Sequence, residues 1–88
     1  MQQLSPDNDK IYLTSAAIKM SAEDYYGCYK DAEKCVMLNN ENASGWNHVA
    51  VALCELGHIH EGLKFFKTAI SLGLEAARDN YEYWSEKV

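Results

Sequence analysis

The sequence predicts an all-α fold, with five helices arranged as two stacked antiparallel pairs and a fifth helix capping the C-terminal end. Three features predict it. The 88-residue chain holds one Pro and five Gly, and these fall where helices begin or end. Between Ala43 and Leu74, the residues Trp46, Val49, Ala50, Leu53, Gly57, Gly62, Phe66 and Ala69 are spaced as one helix-turn-helix unit. Near the C-terminus, Ala77, Tyr81, Trp84 and Val88 fall at the i, i+4, i+7 and i+11 spacing of a single apolar helix stripe.

Each helix has a start or stop signal. Ser5-Pro6-Asp7 opens the first, with Ser as cap, Pro at the first helical position and an acid in the first turn; it is expected over 6–20. Ser21-Ala22-Glu23-Asp24 restarts the chain for a second helix over 22–38. Asn39-Asn40-Glu41-Asn42 is a turn, and Asn42 caps a third helix over 43–56. Gly57 suits the left-handed residue that closes a helix, and Gly73 repeats that role after a fourth helix over 59–72. The fifth takes 75–88. Along it, Glu75, Asp79, Glu82 and Glu86 form a second stripe, two residues or about 200° of rotation away from the apolar one. Those acids therefore face away from whatever Trp84 packs against, either as the solvated face of an amphipathic helix or with part of the stripe in a binding groove.

Composition narrows the function classes. Eight Lys and Arg against 13 Asp and Glu give a net charge of −5, and the cations are scattered, which disfavours nucleic acid and anionic membrane surfaces. No apolar run approaches the roughly 18 to 20 residues of a membrane span, and the opening MQQLSPDNDK lacks the apolar core of a secretory signal. A soluble, cytoplasmic protein is expected. Three Cys at helix-interior positions fit a reducing compartment rather than a disulfide framework; in such a setting the glycosylation-like Asn42-Ala43-Ser44 has no role. A chain this short buries only about 60% of its unfolded surface, so its stability is expected to be thin, with help from a partner or a second copy.

The segment from Ala43 resembles the tetratricopeptide-repeat family, whose motif of about 34 residues places large and small residues along two antiparallel helices. Trp46, Val49, Ala50, Leu53, Gly57, Gly62, Phe66 and Ala69 meet it, and Leu74 stands where the motif has Pro. One repeat earlier, Cys28, Ala32 and Cys35 take the places of Gly62, Phe66 and Ala69, with Asn40 in place of Pro. The first helix aligns after a one-residue insertion, since Lys19 would otherwise be interior; Ile11, Ser15 and Ile18 then become the interior residues. A similar slip puts Tyr81, Trp84, Ser85 and Val88 on the inner side of the last helix, as a cap or the opening of a third repeat. The resemblance implies one domain, with repeats over 6–38 and 43–72. Ala50, Gly62 and Ala69 would let the helices approach while Trp46, Leu53 and Phe66 fill the seam. Such a unit stacks on its neighbours and leaves a concave surface for a partner.

The resemblance also implies where that partner sits. Ser44, Asn47, Val51, Cys54 and Glu55 line the groove from the third helix, and Asp79, Glu82 and Glu86 from the last. Tyr12, Ala16 and Lys19 join from the first in its inserted alignment. Val51 and Cys54 would supply apolar contact, Asn47 and His48 orientation, and Glu55, Asp79, Glu82 and Glu86 selection for a basic or amphipathic segment. The family's clamp for acidic chaperone tails needs an Asn and two cations. Here His48 replaces the Asn, and the third-repeat places hold either Arg78 with Glu82 or Asp79 with Tyr83, so the clamp is rejected.

Other chemistry has little support. Cys54 and His58 lie four apart with Gly57 breaking the helix between them, so no metal site is expected. No phosphate loop or catalytic relay is present, five short helices rarely enclose a water-excluding pocket, and neither an enzyme nor a cofactor is expected. Tyr25, Tyr26 and Tyr29, beside Asp24 and Asp31, read as packing residues with wet hydroxyls. The expected function is a non-enzymatic protein-interaction module, a scaffold or adaptor. Two alternatives are a small chaperone for a single client, similar to the acidic tetratricopeptide chaperones of bacterial secretion systems, and a self-assembling subunit that forms a homo-oligomer.

Overall fold

Two side-chain caps decide where the middle helices begin. Asp24 accepts a hydrogen bond from the Gly27 amide at 3.0 Å, and Asn42 accepts one from the Gly45 amide at 3.0 Å, each satisfying a donor that a helix start leaves open. A computed structural model describes residues 8–88. Its helices are α1 (Asn8–Ser21), α2 (Tyr25–Leu38), α3 (Ala43–Glu55), α4 (Ile59–Ser71) and α5 (Ala76–Ser85), with no strand among the described residues. The fold is all-α. The expected start at Ser5-Pro6-Asp7 lies outside the described residues.

Most boundaries fall where the sequence places them, and the exceptions have local causes. Gly57 and Gly73 take φ of 98° and 104°, the left-handed region that only glycine enters without strain from a Cβ. The second helix starts at Tyr25 rather than Ala22, because Glu23 adopts φ 63° and breaks the chain there without a glycine. The last helix ends at Ser85, and Val88 is 60% exposed. The apolar stripe on α5 therefore ends at Trp84.

Consecutive helices pack on one another, and α3 touches all four others. A 14-residue helix spans about 21 Å, so the longest of the overall dimensions, 47 × 27 × 17 Å, comes from stacking. One apolar cluster joins Ala16, Cys28, Ala32 and Val36 to Val49, Ala52 and Leu53. A second joins Ala50, Cys54, Phe66 and Ala69 to Ala77, with Tyr81 and Trp84 against it. Trp46 and Phe65 pack on both clusters and stack at 5.4 Å between ring centroids, while Phe66 is fully buried. Close approach depends on glycine at two places. A Cβ on Gly62 would meet Cys54 Sγ at 2.4 Å and the Ala50 carbonyl at 2.8 Å; one on Gly45 would meet Cys35 Sγ and Val36 Cγ1, both at 2.8 Å. No described helix is long and apolar enough to cross a membrane.

The two helix pairs repeat at an offset of 34 residues. Ala16 and Ala50, Ala32 and Phe66, and Cys35 and Ala69 are each fully buried at both members. Glu23 matches Gly57 as the left-handed residue, and Asp24 matches His58 as the residue before the next helix. This offset needs no insertion in the first helix, which corrects the expected alignment. Ile11 and Ile18 are 63% and 64% exposed, not interior, and Lys19 does occupy the seam.

A polar network makes Lys19 acceptable there. Its Nζ lies 2.9 Å from Asp31 Oδ2, and the Ser15 hydroxyl donates to the same oxygen. Burial pushes the Asp31 carboxyl up, but the Ser15 and Lys19 contacts outweigh it and hold the group below its ordinary value. A second network ties the start of α1 to the loop between α2 and α3. Asp9, 3% exposed, accepts from Asn42 Nδ2 at 2.8 Å and Asn39 Nδ2 at 3.1 Å. Chiefly through the Asn42 bond, its carboxyl is also held below the ordinary range.

Candidate partner-binding surface

α3 lies between α1 and α5, touching both, and this side is where the sequence places the groove. Asn47 meets α5 directly, its Oδ1 accepting from Asn80 Nδ2 at 3.1 Å. His48 Nδ1 is 2.8 Å from the Ser44 carbonyl oxygen, a bond that requires a hydrogen on Nδ1. Val51 is half-buried against the second cluster. Glu55 is exposed at the end of α3. Burial raises the pKa of the Tyr25 phenol, and the charges of Glu55 and Glu23 raise it further.

Several expected groove residues lie elsewhere. Cys54 is 3% exposed, and its sulfur fills the space left by the missing Cβ of Gly62. Its expected contact with a partner is corrected: it is a packing residue between α3 and α4. Ala16 is fully buried, Lys19 is committed to Asp31, and Tyr12 lies 5.7 Å beneath Lys34 Nζ. None of these three lines a groove with α3. Asp79 and Glu82 on α5, and Glu75 and Glu86 at its two ends, are exposed. Glu82 is two residues, about 200° of rotation, from the α3-facing Asn80. With Lys67, Ile70, Arg78 and Tyr81, Glu82 instead borders a cavity of about 420 Å³ between α4 and α5.

Asn80 was not legible as a site residue, because nothing in the sequence pairs it with Asn47. Gly45 was likewise missed, although a glycine inside a helix, where it costs stability, is a sign of close approach by a neighbouring element. The thiols of Cys28, Cys35 and Cys54 are each pushed up to about 11, chiefly by burial. Protonated thiols are poor nucleophiles and poor metal ligands at neutral pH. What the surface offers chemically is exposed carboxylate, a few amides and one imidazole around α3 and α5.

No family model matches this sequence, and no curated protein matches it.

Proposed function

We propose that the chain is a non-enzymatic interaction module of tetratricopeptide type that holds a basic or amphipathic segment of a protein partner. The observation that carries this reading is the 34-residue repetition of the packing, in which buried small residues and helix breaks recur position by position. Repetition of that kind builds a scaffold whose outward side chains are free to vary with the ligand. The charge of the partner follows from the exposed Glu55, Asp79, Glu82 and Glu86, which attract Lys and Arg in a salt-dependent way. The module works as a cytoplasmic adaptor or as a chaperone for one client. The test compares capture of partners by the wild-type chain and by an E55Q/D79Q/E82Q/E86Q variant at low and high salt. Partners lost from the variant and from the wild type at high salt support charge selection, whereas equal retention overturns it.

A second reading, self-assembly, has its own support. Ile11 and Ile18 are exposed, yet their counterparts 34 residues later, Gly45 and Ala52, are buried, Gly45 against Cys35 and Val36 of α2. The outer side of α1 is thus built like a surface that a neighbouring helix covers. Sedimentation over a range of concentrations decides: association abolished by I18E supports this reading, and a strict monomer removes it.

A further inference from the structure

Among the described residues, α2 and α4 both pack on α3 but not on each other, and a trough runs between them. It is a different face from the α1, α3 and α5 side discussed above. Within it lies a cavity of about 250 Å³, room for one large side chain rather than a helix. Tyr29 from α2, Trp46 from α3 and Phe65 from α4 form its aromatic lining, Val49 belongs to its apolar lining, and Glu33 contributes a carboxylate. Trp46 Nε1 already donates to the Asn40 carbonyl at 2.8 Å, so the indole has no free N–H for a ligand, and its ring stacks on that of Phe65 at 5.4 Å. The two bonds that Glu33 makes are long, 3.4 Å from the Tyr29 hydroxyl and 3.9 Å from Lys30 Nζ. Its carboxylate keeps acceptor capacity for another cation.

Carboxylates of two helices act at Tyr29, while Lys30 and Lys34 border, with Glu33, a second cavity. Burial raises the Tyr29 phenol first, and the charges of Glu33 and of Glu61 from α4 raise it further. Aromatic faces attract cations through their quadrupole, and more strongly where water is thinned out. An ammonium is strongly hydrated and needs several acceptors once it leaves water. A guanidinium is weakly hydrated, stacks on aromatic rings and matches a single carboxylate with two parallel N–H groups. Three rings and one open carboxylate fit the second description.

We infer that this cavity receives the guanidinium of an arginine side chain presented by a protein partner, with the rings of Tyr29, Trp46 and Phe65 as its lining and Glu33 as its acceptor. The inference uses none of the groove residues of α3 and α5, so either site can fail alone.

The test titrates the full chain with a short Gly-Ser peptide carrying one central arginine, reading the indole N–H signals of Trp46 and Trp84 by NMR. The arginine peptide is expected to shift the Trp46 signal saturably and leave that of Trp84 unmoved. Replacing arginine by citrulline, which keeps the shape and removes the charge, is expected to weaken binding about tenfold. The E33Q variant should weaken it to a similar degree while its circular dichroism stays that of the wild type, since Glu33 is a partly exposed side chain. The E55Q/D79Q/E82Q/E86Q variant should bind as the wild type does, which separates this site from the acidic one. Equal binding of citrulline, equal or tighter binding of a lysine or trimethyllysine peptide, or a shift confined to Trp84 would each overturn the assignment.

Discussion

The first helix pair and the second share a backbone plan but are joined by different chemistry. Val49, Leu53 and Phe65 form an apolar seam between α3 and α4; the residues 34 positions earlier are Ser15, Lys19 and Asp31, joined by a hydrogen bond and an ion pair. The substitution is made at all three places together. A carboxylate in that seam without its partners would be costly to bury, and so would an unpaired ammonium. The comparison teaches that the backbone arrangement sets which positions meet, while the residues there need only agree with one another. Both pairs bury apolar residues, Ala16, Cys28 and Ala32 in the first and Leu53 and Phe66 in the second, and the first adds directional contacts that the second lacks at these positions.

The largest expected effect breaks the second pair. Phe66→Ala removes the largest fully buried side chain and should cost about 3–5 kcal/mol, most of the stability of a small domain, seen as a collapse of the urea midpoint. Next, the comparison can be erased by S15V/K19L/D31F, which gives the first seam the side chains of the second. The Lys19 and Asp31 side chains are 40% and 18% exposed, so exchanging the pair for packed apolar groups should be neutral or stabilise by less than the upper figure of about 4 kcal/mol for fully buried pairs; a large loss in urea unfolding would mean that the two seams are not equivalent. Smaller again is Gly62→Ala. Its Cβ would press on the Ala50 carbonyl as well as Cys54 Sγ, and overpacking of this kind costs about 1–3 kcal/mol.

The smallest effect is a pH dependence that arises from Asp9 and Asp31. Asp9 and Asp31 both have folded-state values below the ordinary 3.8, so each binds its proton less readily folded than unfolded. The stability they contribute is complete above about pH 5, clear of the unfolded value, and is lost as pH falls through the lower folded values. The urea midpoint should therefore decline between about pH 5 and pH 2, and the D9N/D31N double variant should show a flatter decline. An unchanged slope in that variant would remove these two carboxylates as the cause.

Legibility in the sequence followed the same division. The second pair could be read almost residue by residue, because caps, glycines and apolar spacing all carry local signals. Asn42 capped α3 as expected, and Gly57 and Gly73 closed α3 and α4 in the left-handed conformation. The first pair hid its plan twice. Glu23 does the work of a helix-ending glycine without being one, so the start of α2 was placed three residues early. Lys19 looked impossible in a seam because its partner, Asp31, lies 12 residues away on another helix, and no local rule links them. The candidate surface was less legible still. Cys54 had the spacing of a groove residue, but the absence of a Cβ at Gly62 drew it inward.

The central claim is that the first pair repeats the second at an uninterrupted 34-residue offset, and thiol labelling of I18C and A16C tests it most directly. The native thiols are buried and pushed up to about 11, so they should react with a maleimide only as the protein unfolds. Against that background, I18C should add one rapidly labelled thiol by mass, and A16C should add none. Rapid labelling of A16C with protection of I18C would contradict the account and restore a one-residue insertion.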